Sequence, residues 1–378
     1  MEPHASSSNL PPHPLQRTVE LLEEGVKEGL HLGAQLYVSM RGDPVADLAI
    51  GQARPGVAMR TDTSQFWFSC SKPIAAAAIG QLLEQGKLAL EDRIADFIPE
   101  FAQHGKEDIT LFHVMTHTGG FRGSNEIQPG WSWEEVIAFA CSTPREEGWI
   151  PGQKAGYHHT ASWYLLGEIV RRIDGRSYSQ YVREEIFLPL GMMDSWVGMP
   201  SEIYRSLDEQ RGEFFSMRPG STHLEPHWNE EADSTICRPG SNARGPVRDL
   251  ARFMEMLLDG GRGPDRRILN PDTVELLTRR HRAGMYDETF MQFIDWGLGI
   301  LLCTRHPGQR VTSYGFGDHA SLSAFGHGGM QTSIAFVDPA HELVGVWICN
   351  GMCGERLHRQ RNHDLNTAIY TDLALAGV

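Results

Sequence analysis

Strand-like apolar runs lie near the two ends of this chain and helical periodicity fills its middle, a distribution that restricts the fold more than any composition figure. From Leu15 to Gly29, apolar residues recur at Leu15, Val19, Leu22 and Val26, the spacing of one helix face. Ala34 to Met40 then reads as a strand, Arg41-Gly42-Asp43 as a turn and Val45 to Ile50 as a second strand. At the other end Gly297 to Cys303, Ser323 to Val337 and Leu343 to Asn350 carry strand-like runs parted by Gly, Pro and Asp turns, and a last helix is predicted from about Arg356 to Ala376. Between them lie helices around Leu111 to Met115, Trp133 to Ala140, Ala161 to Ile173, Tyr178 to Phe187 and Val247 to Leu258. The pattern predicts an α+β fold: one antiparallel sheet built from both chain ends and flanked by helices, with an inserted, mostly helical region. Residues 1–14, rich in Ser, Pro and His, are expected to be a flexible tail. Residues 15–68 and 290–378 are assigned to the sheet domain and 69–289 to the helical domain, with a cleft between the two.

Charge narrows the partners. A formal charge of −14 at pH 7 supplies no basic face for nucleic acid or an anionic membrane. No apolar stretch approaches the roughly 18 residues of a membrane helix, and the N-terminal segment lacks the basic start and apolar run of a secretory signal. Six scattered cysteines without a CxxC pair suit free thiols in a reducing compartment, so a cytoplasmic location is expected.

Ser69-Cys70-Ser71-Lys72, followed by Pro73 and the run Ile74 to Leu83, carries the chemistry. The Ala and Leu content argues for a helix, and a proline is tolerated only in its first turn, so the helix is predicted to begin near Ser69. A spacing of three sets the Ser69 hydroxyl and the Lys72 amine on one face. Burial of that face disfavours the ammonium, and a neutral lysine beside a serine can take its proton. The approach Phe66-Trp67-Phe68 is apolar, and lysine is scarce: Lys27, Lys72, Lys87, Lys106 and Lys154 are all there are among 34 basic residues. Cys70 points about 100° away from Ser69 around a helix, which sets it aside as the nucleophile.

Tyr157-His158-His159 stands just ahead of the helix starting near Ala161. A tyrosine near a lysine ammonium has its ionised form favoured, so Tyr157 is expected to share the base role with Lys72. His113 and His117 fall at i and i+4 but lack the glutamate of an HExxH zinc helix, and neither a metal nor any other cofactor is assigned. Phe325-Gly326-His327-Gly328-Gly329-Met330 precedes a strand, and its glycines let backbone approach a ligand. Met217 to Pro246, rich in Pro, Gly, Asn and charge, is read as a long irregular wall or lid over the cleft, with Arg244 lining it. Trp131, Trp228 and Trp296 are expected to shape the pocket.

In this order the motifs resemble the serine β-lactamase and DD-peptidase superfamily, on the branch of class C β-lactamases, family VIII carboxylesterases and related acyltransferases. Ser69 to Pro73 matches the SxxK motif. Ile109 to Gly120 resembles the "ITxxHLLTHTSG" stretch, Pro151-Gly152 with Tyr157 the Y-x-N segment, Pro189 to Met192 the "PLGM" turn, and Phe325 to Gly329 the "FGHxG" form of the third motif. The resemblance spans roughly residues 20 to 350. It implies an α/β sandwich and an acyl-enzyme on Ser69, with Lys72 and Tyr157 handling the proton and the backbone N–H groups of Ser69 and Met330 holding the oxyanion. His159 stands where lactamases keep an asparagine, and His327-Gly328-Gly329 where they keep K-T-G. A histidine, largely neutral at pH 7, lacks the fixed charge that meets a substrate carboxylate. The implied partner is therefore a small ester or amide, with an alcohol or amine as a possible acceptor; the alternatives are a β-lactamase or D-amino-acid peptidase, and a non-catalytic binding or assembly protein.

Overall fold

The helix expected after residue 14 forms over Gln16–Lys27 (α1) and buries Leu22 against the sheet. The protein is described by a computed structural model over residues 14–127, 130–218, 221–309 and 311–376. The tail assigned to residues 1–14 lies, up to residue 13, outside the described residues. Gly33–Met40 (β1) and Asp43–Arg54 (β2) make the first hairpin. Its two turn residues, Arg41 and Gly42, have φ of 56° and 82°, the left-handed pair that a two-residue turn needs to match strand twist.

Val57–Ala58 (β3), Leu301–Leu302 (β4), Phe325–Gly329 (β5), Ser333–Asp338 (β6) and Leu343–Cys349 (β7) complete one antiparallel sheet in the order β4-β5-β6-β7-β1-β2-β3. The two chain ends meet at β1 and β7, where Leu36 pairs with Trp347. Four further helices organise the rest: Lys72–Glu84 (α2), Ala161–Asp174 (α3), Val247–Leu258 (α4) and Glu355–Asp372 (α5). Leu36, Val38, Phe336 and Trp347 pack with Leu22 of α1 and Ile369 of α5, whereas Tyr37, Ala335, Val344 and Val346 join the core of Leu250, Phe253 and Leu257 of α4. That period-two alternation, buried on both faces, is what makes an α/β sandwich from these sequences. Helix α2 is buried from Lys72 through Leu82 and runs through the centre of the helical part against α3.

Three expectations change. The strand expected over Gly297 to Cys303 shrinks to β4, because Leu298 N–H bonds Leu277 O, Gly299 N–H bonds Met115 O, and Gly299 adopts φ 70°. The run Ser323 to Val337 folds back on itself at Met330–Thr332, giving β5 and β6. The Met217 to Pro246 segment is not an irregular loop. Phe215–Arg218 pairs antiparallel with Ser221–Leu224, short helices span Pro226–Asn229 and Glu231–Thr235, and Ala243–Gly245 is a strand. Its order rests on side chains rather than on periodicity: Asn229 Oδ1 accepts from Phe214 N–H at 2.8 Å, and its Nδ2 donates to the carbonyls of Phe214 and Glu225.

Candidate active site

The apolar approach to Ser69 ends in a 3-10 turn, Phe68–Ser71, and α2 starts only at Lys72. The expected helix start is thus one tight turn late, with a useful consequence: three residues per turn eclipse positions 69 and 72. The turn is tied down from both sides. Trp67 N–H donates to Ala243 O at 2.9 Å, and Ser71 Oγ donates to Phe68 O while accepting from Ala243 N–H. Phe68 itself has φ 49°, a conformation costing on the order of 1–3 kcal/mol for a residue with a side chain. Its ring, edge-on to Phe214 at 5.4 Å and Trp228 at 5.2 Å, supplies the packing that holds it there.

Lys72 Nζ lies 3.0 Å from Ser69 Oγ and 2.9 Å from each of the carbonyl oxygens of His159 and Gly240. Carbonyls only accept, so two N–H bonds are committed to them. A neutral amine then has one lone pair left, and the remaining neighbour is the Ser69 hydroxyl. Aromatic faces at 5.1 Å (Tyr157) and 5.2 Å (Trp163) favour an ammonium by roughly 0.5–2 kcal/mol. Burying an ion costs several kcal/mol, and among the described residues no carboxylate pairs with Lys72. Burial prevails and holds the amine well below its ordinary pKa of 10.5.

The Tyr157 phenol hydrogen-bonds Ser69, and burial pushes its pKa well above 10. The expected phenolate is therefore corrected: burial disfavours the Lys72 charge that would favour it and raises the phenol itself, so the hydroxyl stays protonated. The tyrosine's backbone is pinned by residues far along the chain that the sequence did not single out. Asp287 Oδ1 accepts from Tyr157 N–H at 3.1 Å, Thr289 Oγ1 donates to Tyr157 O at 3.1 Å, and Asp287 Oδ2 pairs with Arg282 at 2.8 Å. An arginine and an aspartate five residues apart give no signal by themselves, since most such pairs lie on surfaces.

Strand β5 brings its backbone to the serine. Its outer neighbour β4 pairs only with Phe325 and Gly326, which leaves His327 to Gly329 unpaired on that edge. A cleft of about 390 Å³ is lined by Ser69, Tyr157, His159, His327, Gly328 and Met330, and aromatic walls come from Phe68, Trp228, Phe290, Trp296 and Tyr314. Gly329 stands behind it, where a Cβ would lie 2.6 Å from Trp67 O. Burial lowers the pKa of His327 to about 3 and that of His159 to about 4, so both are neutral at pH 7. The His327 Nδ1–H donates to Gly328 O at 2.8 Å.

Arg244 does not line the cleft as expected. It is buried over the Phe66 ring at 4.5 Å and donates to Trp228 O, so it fixes a wall residue, and Ser241 takes the lining position. Trp131 packs on Phe139 away from the cleft. Glu355 and Arg359 from α5 line the cleft and were not singled out in the sequence. His113 and His117 make separate bonds, His113 Nδ1 accepting from Thr110 N–H and His117 Nδ1 from His158 N–H. Among the described residues no group of three or more His, Cys, Asp or Glu is arranged to hold a metal ion.

Comparison with known proteins identifies the family. The chain is 28% identical over 334 residues to penicillin-binding protein 4 of Amycolatopsis lactamdurans, covering 84% of this chain and 81% of that protein. It is 26% identical over 337 residues to the esterase/β-lactamase LipL of Mycobacterium tuberculosis, covering 81% and 74%. Among solved structures, a penicillin-binding protein homologue from Caulobacter crescentus superposes with a TM-score of 0.79 at 29% identity, over 97% of this chain and 99% of that one. A family VIII carboxylesterase gives 0.78 at 26%, over 95% and 98%. The Beta-lactamase family pattern runs from residue 19 to residue 368, so the chain belongs to the β-lactamase family and is a serine hydrolase of that superfamily.

Proposed function

We propose that the protein is a serine esterase or acyltransferase that acts on small or medium uncharged esters or amides through an acyl-enzyme on Ser69. The bonding and burial of Lys72 together carry this reading: Nζ meets Ser69 Oγ and two carbonyls, and because burial disfavours the ammonium while the carbonyls keep two N–H groups, the lone pair left by the lost proton faces Ser69 Oγ. Ser69 Oγ bonds to the acyl carbon, its proton passes to Nζ, and the carbonyl electron pair moves onto oxygen. The backbone N–H groups of Ser69 and Met330 receive that oxyanion, a contribution of about 3 kcal/mol per donor. As the carbonyl reforms, the alcohol or amine leaves with a proton passed from Lys72 by way of the Tyr157 hydroxyl. Water, or a bound alcohol or amine, then attacks the acyl group by the reverse path.

Neutral His327 and His159 in the cleft wall support an uncharged substrate, the Glu355 and Arg359 charges that also line the cleft being of opposite sign, with Gly328 lining the wall and Gly329 behind it letting β5 come close. The nucleophile turn comes from the helical part and β5 from the sheet part, which supports a cleft between domains of residues 69–289 and of residues 15–68 with 290–378. Six free cysteines support a cytoplasmic location; no helix among the described residues is long and apolar enough to cross a membrane.

Mass spectrometry after incubation with an aryl ester tests the proposal. A mass shift on Ser69 and loss of turnover in Ser69→Ala are expected; no adduct, with turnover unchanged in that variant, defeats it. Stoichiometric labelling by a fluorescent penicillin, with D-peptide cleavage outpacing ester cleavage, would instead favour a β-lactamase or D-amino-acid peptidase.

A further inference from the structure

The segment bearing Tyr157 offers three successive N–H groups, and a single residue takes the two that flank the tyrosine. His117 O accepts from Gly156 N–H at 3.0 Å, and His117 Nδ1 accepts from His158 N–H at 3.0 Å. The N–H between them goes to Asp287. Presenting carbonyl and imidazole to one segment requires His117 to adopt φ 57°, and its ring packs 4.7 Å from the Tyr157 ring and 4.5 Å from Trp296. Because Nδ1 accepts, the ring proton sits on Nε2, which is buried with no partner among the described residues. A left-handed backbone and an unpaired buried N–H each cost on the order of 1–3 kcal/mol, so an apolar residue would be better tolerated if filling space were the whole task.

We propose that His117 is the positioning residue for Tyr157, fixing the turn on both sides of it so that the phenol stays on Ser69. This rests on the reading of Tyr157 as proton carrier. His117 touches neither the substrate nor the reacting atoms in this role; it acts through the tyrosine.

The test is a double-mutant cycle on aryl-ester hydrolysis, with melting temperatures recorded alongside. His117→Asn places an amide oxygen where Nδ1 stood and tolerates the left-handed backbone, so its kcat is expected within about threefold of wild type. His117→Leu keeps bulk but loses the acceptor, and kcat is expected to fall on the order of 100-fold, the scale of an ångström-sized misplacement, with KM within about threefold. His117→Ser, too short to reach His158 N–H, reads the same loss in a variant without added bulk should leucine prevent folding. In a Tyr157→Phe background the loss should vanish, because the residue being positioned no longer carries a proton.

The inference is overturned if His117→Leu or His117→Ser matches wild type, if the asparagine variant falls as far as they do, or if the loss persists in full beside Tyr157→Phe. Should Tyr157→Phe alone turn over like wild type, the proton-carrier reading fails first and the inference goes with it. A large Tyr157→Phe loss with an additive His117 loss removes the inference and leaves that reading standing.

Discussion

The carboxylate of Asp287 stands 2.8 Å from the guanidinium of Arg282 with both side chains out of water, and its other oxygen receives the N–H of Tyr157. That oxygen also accepts from Thr289 and Phe290 N–H, so one buried ion pair orders the tyrosine and part of the cleft wall together. Arg282 in turn reaches Thr116 O and Ile294 O.

Removing one partner should cost far more than replacing both. Asp287→Ala leaves a buried guanidinium without its counter-charge, and a loss of about 3–5 kcal/mol in urea-unfolding free energy is expected. Arg282→Met with Asp287→Leu should recover much of that stability. It should not recover kcat, because three N–H groups around Tyr157 still lack their acceptor. Equal recovery of both would mean that the pair serves stability alone.

Lys72→Arg keeps the length and the donors but fixes the charge, and a guanidinium offers no lone pair to Ser69. A fall in kcat of roughly 10²–10⁴ is expected, the range of a lost general base. In the wild type, burial holds the amine far below 10.5, so activity should not climb as pH rises from 9 to 10.5. A rise there in a pH–rate profile would mean that an ordinary ammonium is being titrated.

Ser69, Lys72, Tyr157 and the β5 glycines were legible because they sit in short motifs of fixed spacing, and the sheet was legible because period-two burial survives in β1, β6 and β7. Arg282 and Asp287 were not, since their meaning lies in a contact 130 residues away from Tyr157 in the chain. Arg244 misled for a related reason. Charge suggests exposure, yet its guanidinium is spent on an aromatic face and a backbone carbonyl. The segment from 217 to 246 hid its order because asparagine bonds, not apolar spacing, organise it.

Gly329 is a steric prediction. A methyl there would lie 2.1 Å from Ser333 Oγ and 2.6 Å from Trp67 O, so Gly329→Ala must push β5 away from the nucleophile turn. Retreat of the Met330 N–H from the oxyanion should lower kcat on the order of 10²-fold with little change in KM. Unchanged affinity for a boronic-acid transition-state mimic would rule out that displacement.

Stability should fall steeply on mild acidification. Burial pushes His31, His158 and His327 down to about 3 and His159 to about 4, and it holds His117 and His358 well below 6.5. The sign follows from where the protons bind. Between pH 6.5 and about 4 His31, His158, His159 and His327 are charged in the unfolded chain and neutral in the fold, and burial of His117 and His358 acts in the same direction, so unfolding takes up protons and is favoured as pH drops. Each one withdraws about 1.4 kcal/mol per pH unit across that window. His363 opposes the trend, because its burial is outweighed by hydrogen bonds to Asp364 and Asp318 that raise it, but it is one imidazole against eight, since burial lowers His113 and His281 as well. Urea unfolding at pH 5 should therefore report a net uptake of several protons, and the midpoint should drop well before carboxylates titrate. A midpoint flat between pH 7 and 5 would mean that these imidazoles reach water, and the neutral His327 and His159 argued for the substrate would lose their basis.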